Sequence, residues 1–390
     1  MDYPLTITAS AMREINRSAI LEIIRRESPI SRSAIADRLE VSLPTVMRIV
    51  EELETEGFVR PQGEKEWSGG RRRPLIEFNA GESVVLGIDL GASNFYGAIS
   101  DLGGNVVDEA SLTGQGKDAE ENYTQLLALI DRLLQSPRLA GKKIRGIGVG
   151  VPGPVTHHDG NVTWAPALNW RNLPLKDRLS ARYNLPLIVD NDMNLAALGE
   201  LWFGLGQNAR NIILITVTTG IGAGIIIDRA LYRGSTDSSG EIGMMLPGRE
   251  FLGKSFGDFG ALETRAALSG LLDRAREQYL VKEISPDDIF KAASREEPFA
   301  RSLVDEMEDQ LAVAITNLIV SFDPDLILLC GGLARYSNYL MQPILDRIHS
   351  SVSNPPRILV SQLDRKAVVM GAITNVLHNT SNFYFVRKLT

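Results

Sequence analysis

Two stretches of this chain follow the same order, in which an apolar strand meets a glycine-rich turn and a second apolar strand doubles back. The first stretch runs from Ser83 to Ser100, and the second begins near Asn211. Apolar runs of strand length on both sides of a glycine turn are typical of buried β-hairpins. Because helices are predicted after each hairpin, the sequence indicates a duplicated α/β domain with a cleft between its halves.

Glycine turns at the ends of strands are also candidate phosphate sites, since they bring backbone N–H groups close to an anion. One turn lies within each hairpin, and Gly331-Gly332 follows a third predicted strand from Leu326 to Cys330. Each turn alone is more typical of an ordinary tight connection. The three in this order favour phosphate binding more strongly.

Asp192 is the candidate for proton transfer. It follows the apolar strand Leu187-Ile188-Val189. A carboxylate at the C-terminal end of a strand, facing a cleft, can accept the proton of a hydroxyl group. The alternative is a loop aspartate that accepts hydrogen bonds from nearby backbone N–H groups, and the residues alone favour that alternative.

Residues 1–80 predict a separate small domain. A first helix is expected from about Ala11 to Arg26, a second is capped by Ser31 or Ser33, and a third is capped by Ser42. The third helix is expected to end at Gly57, and the segments Phe58-Val59 and Leu75 to Phe78 are predicted to be two strands. Three helices followed by a hairpin form a winged helix-turn-helix, whose third helix lies in the major groove of DNA.

The candidate DNA contacts lie on the third helix and on the loop between the strands. The first turn of the helix offers two hydroxyls and a guanidinium, and the loop carries three consecutive guanidiniums suited to a narrow A·T minor groove. These residues are Ser42, Thr45, Arg48, Arg71, Arg72 and Arg73. Residues 1–80 contain 12 basic against 13 acidic side chains, so charge does not support DNA binding, and a protein-interaction module is the alternative.

The rest of the composition excludes several classes of protein. No run approaches 18 uninterrupted apolar residues, and charged residues interrupt the N-terminal segment, so neither a membrane span nor a signal peptide is predicted. The single cysteine, Cys330, excludes an intrachain disulfide and a multi-cysteine metal site. A cytoplasmic protein is therefore expected. The net charge of −7 means that any affinity for nucleic acid must come from a local feature.

From about Met12 onward, the order of motifs resembles the ROK family (repressor, open reading frame, kinase), in the DNA-binding branch that includes xylose and N-acetylglucosamine repressors. The two phosphate motifs correspond to Asp89–Ser93 and Thr219–Gly224, the adenosine motif to Cys330–Gly332, the sugar motifs to Val151–Gly153 and Asn191–Asn194, and the GEIGH motif to Gly240–Gly243. In the N-terminal domain, Asn16, Ser31-Arg32, Thr45-Val46 and Gly69–Arg72 match the repressor branch.

The resemblance implies a winged helix-turn-helix at residues 1–80, followed by a two-lobed actin-like (ribonuclease H-like) core of the sugar-kinase type. Lobe one would comprise residues 81–190 plus 372–390, and lobe two residues 191–371. The implied sugar ligands between the lobes are Gly153, Asn191, Asp192, Glu241 and Glu263. The implied nucleotide residues are Asp89, Gly91, Ser93, Thr219, Gly220, Gly222, Gly331 and Gly332. Arg32 joins the DNA contacts, and Asp192 would be a catalytic base only if kinase activity is retained.

Two departures from the family pattern separate this chain from its enzymes. The positions of the family's zinc ligands hold Met244, Lys254, Phe256 and Ala261, so no zinc site is expected, and apolar packing of Met244, Phe251, Phe256 and Phe259 is expected instead. Ala92-Ser93-Asn94 stands where the kinases have Gly-Thr-Lys, which crowds the phosphate and removes a positive charge. Thr218 and Cys330 replace glycines of the other nucleotide motifs.

The leading hypothesis is a sugar-responsive transcriptional repressor that binds an inverted-repeat operator as a homodimer or tetramer. A small sugar is expected to release it, and no cofactor is expected. A bifunctional ATP-dependent sugar kinase that also binds DNA is the alternative. A third hypothesis keeps the DNA-binding domain but gives the core an effector other than a sugar, since the histidine of GEIGH is replaced by Met244.

Overall fold

The N-terminal domain contains three helices and a small sheet. The computed structural model describes residues 9–65, 73–91, 94–113 and 116–381. The elements of the domain are α1 (Ala9–Glu27), β1 (Ile30–Ser31), α2 (Arg32–Leu39), α3 (Leu43–Thr55), β2 (Val59–Lys65) and β3 (Arg73–Phe78). The strands form an antiparallel sheet in the order β1-β3-β2. The predicted winged helix-turn-helix is confirmed.

The capping residues fix where its helices begin and end. Ser31 is the N-cap of α2, where its hydroxyl accepts a hydrogen bond from the Ala34 N–H at 3.3 Å. Ser42 occupies the N-cap of α3, but its hydroxyl makes no hydrogen bond to the helix backbone. It pairs instead with the Thr45 hydroxyl at 2.8 Å, so the capping bond expected of Ser42 is wrong. Gly57 follows α3 with a φ of +82°, as its predicted place after the helix requires.

The first core sheet has five strands in the order β10-β7-β4-β5-β6. Its strands and the elements between them are β4 (Ser83–Leu90), β5 (Asn94–Asp101), β6 (Val106–Thr113), α4 (Ala119–Leu134), β7 (Lys143–Val151), β8 (Val162–Ala165), β9 (Trp170–Leu173), α5 (Leu175–Ser180) and β10 (Leu187–Asn191). Strands β4, β5 and β6 pair antiparallel, whereas β7 and β10 continue the sheet in parallel.

The second core sheet repeats this plan in the order β13-β12-β11-β14-β15. Its elements are α6 (Asp192–Phe203), β11 (Ile212–Val217), β12 (Ile221–Ile227), β13 (Ala230–Leu231), α7 (Glu263–Ala266), α8 (Leu268–Tyr279), α9 (Pro286–Ser294), α10 (Pro298–Phe322), β14 (Leu326–Gly331), α11 (Gly332–Arg335), α12 (Ser337–Ser351), β15 (Arg357–Val360) and α13 (Lys366–Ser381). Again three strands pair antiparallel and two follow in parallel. The predicted duplication is confirmed.

Two helices, α6 and α13, pack against each other between the sheets. A Cβ on Gly199 of α6 would lie 2.1 Å from the Ala367 carbonyl oxygen, and one on Gly371 of α13 would lie 1.7 Å from the Leu195 carbonyl oxygen. The two backbones are therefore too close for any larger residue at these positions. Helix α13 contacts β4 and β7, and α6 contacts β11 and β12. The predicted division of the core near residue 190 stays a prediction.

The N-terminal domain contacts the core at two arginines that stack on aromatic rings. The Arg25 guanidinium of α1 lies 4.5 Å from the ring centre of Trp202, near the end of α6. Arg145 of β7 lies 4.3 Å from the ring centre of Phe58 and donates hydrogen bonds to the Glu56 carbonyl at 2.5 Å and the Ser83 hydroxyl at 2.9 Å. Within the described part of the chain, no helix is long and apolar enough to cross a membrane.

Candidate functional site

Asn191 and Gly153 meet where β10 and β7 end. Asn191 is the N-cap of α6, and its side-chain oxygen accepts hydrogen bonds from the N–H groups of Met193 at 2.9 Å and Asn194 at 3.0 Å. Its amide nitrogen donates to the Gly153 carbonyl at 3.1 Å. Gly153 has a φ of +139°, and a Cβ there would lie 2.1 Å from the Trp164 carbonyl oxygen. Only glycine fits, and the turn is held against the start of α6.

Asp192 is the first residue of α6 and accepts a hydrogen bond from the Met193 N–H at 2.8 Å. Burial raises the pKa of its carboxyl well above the ordinary value, and the neighbouring charges of Asp89 and Glu241 raise it further. Burial likewise raises the pKa of Asp89 to about 7, although Arg365 opposes the shift. Asp192 therefore lies among other carboxylates rather than in an ordinary surface loop.

Glu241 and Glu263 complete this carboxylate cluster, which we define as Asp89, Asp192, Glu241 and Glu263. Burial, with a smaller contribution from Glu263, raises the pKa of Glu241 to about 7. The Glu263 carboxylate accepts hydrogen bonds from the N–H groups of Ile221 at 2.8 Å and Gly260 at 2.6 Å, which fixes its position. Directed acceptors at fixed positions suit a polyol, because a missing hydroxyl would leave one of them unpaired.

All five predicted sugar residues thus lie in one neighbourhood. Asn191 donates a hydrogen bond to Gly153. The charge of Glu241 raises the pKa of Asp192, and the charge of Glu263 raises the pKa of Glu241. The structure places these residues together, and their contact with a sugar stays a prediction.

Asp190 and Arg233 belong to this neighbourhood but do not follow from the sequence motifs. Asp190 is 1% exposed, and the Arg233 guanidinium donates to both of its oxygens, at 2.8 and 2.6 Å. Asn375 of α13 also donates to Asp190, at 2.8 Å. The sequence does indicate that Asp190 needs a charged partner, because this aspartate ends a buried strand and a buried charge must be paired. The sequence could not identify the partner.

The predicted nucleotide turns pack against the protein itself. A Cβ on Gly331 would lie 2.5 Å from the Thr216 hydroxyl oxygen, and one on Gly220 would lie 2.7 Å from a Glu263 carboxylate oxygen. The Thr219 carbonyl accepts a hydrogen bond from the Ser269 hydroxyl at 2.5 Å. Close internal contacts therefore account for these glycines without a nucleotide. The remaining predicted positions are Gly91 after β4, Gly222 in β12 and Gly332 at the start of α11, while Ser93 lies outside the described residues.

A guanidinium lies next to position 94. Arg365 donates a hydrogen bond to the Asn94 side-chain oxygen at 2.5 Å and acts to lower the pKa of Asp89. Arg365, which is distant in sequence and lies just before α13, therefore places a positive charge beside Asn94, although the lysine of the family motif is absent.

The loop of residues 244–261, which corresponds to the zinc motif in the family resemblance, is packed only in part. The Phe251 and Phe256 rings lie 5.6 Å apart between their centres, as expected of apolar packing. Met244 is 65% exposed and Phe259 is 47% exposed, so the expectation that they help to fill the site is wrong. The substituted positions Lys254 and Ala261 are exposed and buried, respectively. Among the described residues, no group of three or more His, Cys, Asp or Glu side chains could hold a metal.

On the DNA-binding domain, α3 presents Arg48 and Ser42 as exposed side chains, with Thr45 partly exposed. Arg32 donates to Glu54 at 2.7 Å and so ties α2 to α3. Its contact with DNA stays a prediction. Arg71 and Arg72 lie outside the described residues, and Arg73 begins β3.

The acidic residues in the far half of α3 are neutralised inside the domain. Glu52 accepts from Arg13 at 2.6 Å and Glu56 accepts from Arg17 at 2.5 Å, both across the contact between α3 and α1. With Arg32 on Glu54, three of the four glutamates there are paired. The domain's nearly balanced charge is therefore no argument against an anionic partner at the other end of α3.

Comparisons with known proteins agree with this arrangement. The sequence profile of the ROK family matches residues 85–378, and that of a winged helix-turn-helix DNA-binding domain matches residues 13–60. The xylose repressor of Caldicellulosiruptor bescii is 31% identical over 389 residues, which cover 95% of this chain and 98% of that protein. The glucokinase of Halalkalibacterium halodurans is 31% identical over 305 residues, 73% of this chain and 92% of that protein.

A solved structure matches over nearly the whole chain. It is a ROK family transcriptional regulator described as a homolog of the E. coli MLC protein, with a TM-score of 0.81 and 27% identity, covering 95% of this chain and 97% of that chain. The match spans both the N-terminal domain and the core, whereas the glucokinase matches over a smaller share of the chain.

Proposed function

The chain belongs to the ROK family, and we propose that this sugar-responsive transcriptional repressor leaves its operator when a small sugar binds among Gly153, Asn191, Asp192, Glu241 and Glu263. The observation that carries the proposal is the carboxylate cluster beside Asn191. Burial, and to a smaller extent the charge of Glu263, raises the pKa of Glu241 to about 7. A sugar hydroxyl that donates to such a carboxylate relieves the cost of holding its charge away from water.

The operator is proposed to be an inverted repeat. A two-fold dimer presents two recognition helices, and their spacing must match about one turn of DNA, 34–36 Å, or a multiple of it. We propose that the protein is a homodimer or tetramer for this reason, and that it lies in the cytoplasm, where its DNA is. We infer that it needs neither zinc nor ATP for this function.

The experiment that tests the proposal begins with an operator selected from random DNA by the full chain. Operator affinity is then measured with and without D-xylose, D-glucose and N-acetyl-D-glucosamine, because the relatives are named for sugars of this kind. Release by about 100-fold requires that the sugar favour the DNA-incompetent state by about 2.7 kcal/mol. Operator affinity that is unchanged by all three sugars at millimolar concentration would contradict the proposal.

Kinase activity is the second candidate, and Asp192 and Arg365 are the observations in its favour. Asp192 occupies the position of the base that would accept a proton from a sugar hydroxyl, and Arg365 provides a cation near Asp89. Against it, the glycine turns are filled by internal contacts, and phosphoryl transfer depends almost entirely on positioning and charge. A coupled assay with ATP, magnesium and the three sugars decides the matter. Turnover of about 1 per second, the low end for kinases, would establish the bifunctional alternative.

A further inference from the structure

The loop formed by residues 232–241 joins the edge of the second sheet to the end of the first. Arg233, just after β13, donates two hydrogen bonds to Asp190 at the end of β10, at 2.8 and 2.6 Å. Four residues later, the Asp237 carboxylate accepts a hydrogen bond from the His157 N–H at 3.0 Å, in the segment that follows β7. The 232–241 loop is therefore fastened to the first sheet's side of the molecule at two points.

The Asp190 carboxylate is the buried centre of this connection. Besides the two bonds from Arg233, it accepts hydrogen bonds from the Asn191 N–H at 2.8 Å, from the Asn375 amide at 2.8 Å and from the Asn194 amide at 3.2 Å. Asn191 and Asn194 belong to the cap and first turn of α6. The position of Asp190 therefore controls how α6 begins, and with it the directions of the Asn191 and Asp192 side chains.

The other end of the 232–241 loop is Glu241 itself. One short segment thus holds Arg233, which is bound to Asp190 beside Asn191 and Asp192, and Glu241, whose charge acts on Asp192. A bidentate pair of guanidinium and carboxylate allows little change in distance or angle. Arg233 also neutralises one of the carboxylates in a region that already contains Asp89, Asp192, Glu241 and Glu263.

From this arrangement the geometry points to Arg233 as a positioning residue for sugar recognition, which acts through Asp190. It sets the separation between Glu241 on one side of the predicted sugar and Asn191 and Asp192 on the other. The inference rests on the proposed function, since it concerns the same sugar site. It adds a residue that touches no sugar but determines how well the sugar fits.

The main test is Arg233→Lys, because lysine keeps the positive charge but cannot form the bidentate pair with Asp190. Sugar affinity is measured by calorimetry on the full chain, with whichever of D-xylose, D-glucose and N-acetyl-D-glucosamine the wild type binds best. We expect binding to weaken by about 10-fold, because Glu241 is no longer held at a fixed distance from Asn191 and Asp192 once the bidentate pair is lost. Operator affinity without sugar should stay within about two-fold of the wild type, because α3 is untouched.

Two further variants keep the test decisive. Arg233→Gln combined with Asp190→Asn replaces the buried ion pair by two amides, so it leaves no unpaired buried charge, and it should also weaken sugar binding about 10-fold. The matched control is Arg210→Lys, since Arg210, just before β11, also pairs with an aspartate, Asp228 just after β12, at 2.8 Å but is 62% exposed. It should leave sugar affinity unchanged.

All affinities are compared at a temperature at which circular dichroism shows each variant fully folded, so lost stability alone cannot lower them. Sugar affinity within two-fold of the wild type in both folded Arg233 variants would overturn the inference. A wild type that binds none of the three sugars would instead contradict the proposed function, and the inference would fall with it. If only the Arg233 variants lose binding, both stand.

Discussion

The DNA-binding domain and the carboxylate cluster handle charge in opposite ways. In the domain, acidic side chains on α3 meet arginines at hydrogen-bond distance, as in Arg13 on Glu52 at 2.6 Å and Arg32 on Glu54 at 2.7 Å. In the cluster, Asp192 and Glu241 lie near other carboxylates and are partly buried, and their pKa values are raised. An oppositely charged partner favours the ionised form of a carboxylate, whereas burial among other carboxylates disfavours it.

The difference indicates a division of labour. A surface that recognises a polyanion needs a constant charge, and its affinity should depend on salt. A pocket that senses a neutral polyol gains from acceptors whose charge is costly until a hydroxyl donor arrives. The DNA-binding domain should therefore respond to salt and hardly to pH, and the cluster should respond to pH and sugar but hardly to salt.

The largest effect is expected from the arginine arm. Changing Arg71, Arg72 and Arg73 together to alanine should weaken binding to A·T-flanked operators, because the arm suits their narrow minor groove. The dependence of log affinity on log salt should also flatten, by about one unit for each phosphate that the arm no longer neutralises. Filter binding or anisotropy at four salt concentrations measures the slope. A slope equal to that of the wild type would mean that the arm does not touch DNA.

Asp192→Asn tests the cluster in isolation. The amide keeps the shape but removes a directed acceptor, so sugar binding should weaken by about 1–3 kcal/mol while operator affinity stays intact. Glu241→Gln should behave in the same way. Calorimetry for the sugar and anisotropy for the operator separate the two effects. If both variants respond to the same sugar at the same concentration as the wild type, the effector does not bind at the cluster.

Arg48→Ala tests the recognition helix without touching the cluster. If the exposed Arg48 contacts a base, its removal should cost about 1–3 kcal/mol of operator affinity and relax specificity at one position. Arg38→Ala is the matched control, since Arg38 is exposed on α2 of the same domain and pairs with Glu27. Equal losses at every base position of the operator would indicate a phosphate contact instead.

The pH profile gives a smaller effect with a definite sign. Burial next to Glu263 raises the pKa of Glu241 to about 7, so this group takes up a proton as the pH falls through 7. The ionised form accepts a sugar hydroxyl better, so affinity should be greatest above pH 7 and should fall from pH 8 to pH 6, with at most about a 10-fold loss through Glu241. Operator affinity over the same range should change by less than about two-fold. In Glu241→Gln the pH dependence should shrink.

The smallest effect is expected from metal removal. Because the four family ligand positions hold Met244, Lys254, Phe256 and Ala261, purified protein should contain no stoichiometric zinc, and chelators should leave its melting temperature unchanged. Elemental analysis that finds about one zinc per chain would contradict this and would point to ligands elsewhere.

The sequence predicted features that depend on residues close together in the chain, and it missed contacts between residues far apart in the chain. The start of α2 at Ser31 and the end of α3 before Gly57 follow from neighbouring residues, and both hairpins follow from strands that are adjacent in the chain. Arg233 and Asp190 are 43 positions apart, and Arg365 lies 271 positions from Asn94. No local pattern can pair groups at such separations, because the pairing is decided by how the sheets pack.

Residue type also proved a poor guide to burial in the loop of residues 244–261. Met244 and Phe259 are apolar, yet both are exposed, whereas Phe251 is buried. An irregular loop has no period of two or 3.6 residues to show which side chains face inward. Which of its side chains are covered is therefore decided by the surrounding fold.

The two stacked arginines that fasten the DNA-binding domain to the core limit how such a chain can be recombined. Arg25 belongs to the N-terminal domain and stacks on Trp202 of the core, and Phe58 of the N-terminal domain is covered by Arg145 of the core. Phe58 is 1% exposed and Trp202 3%, so exchanging either half alone would leave a large ring without its cover. A domain with a new DNA specificity can therefore be joined to this core only if it carries residues equivalent to Arg25 and Phe58. The N-terminal domain and the core must match each other at these two contacts.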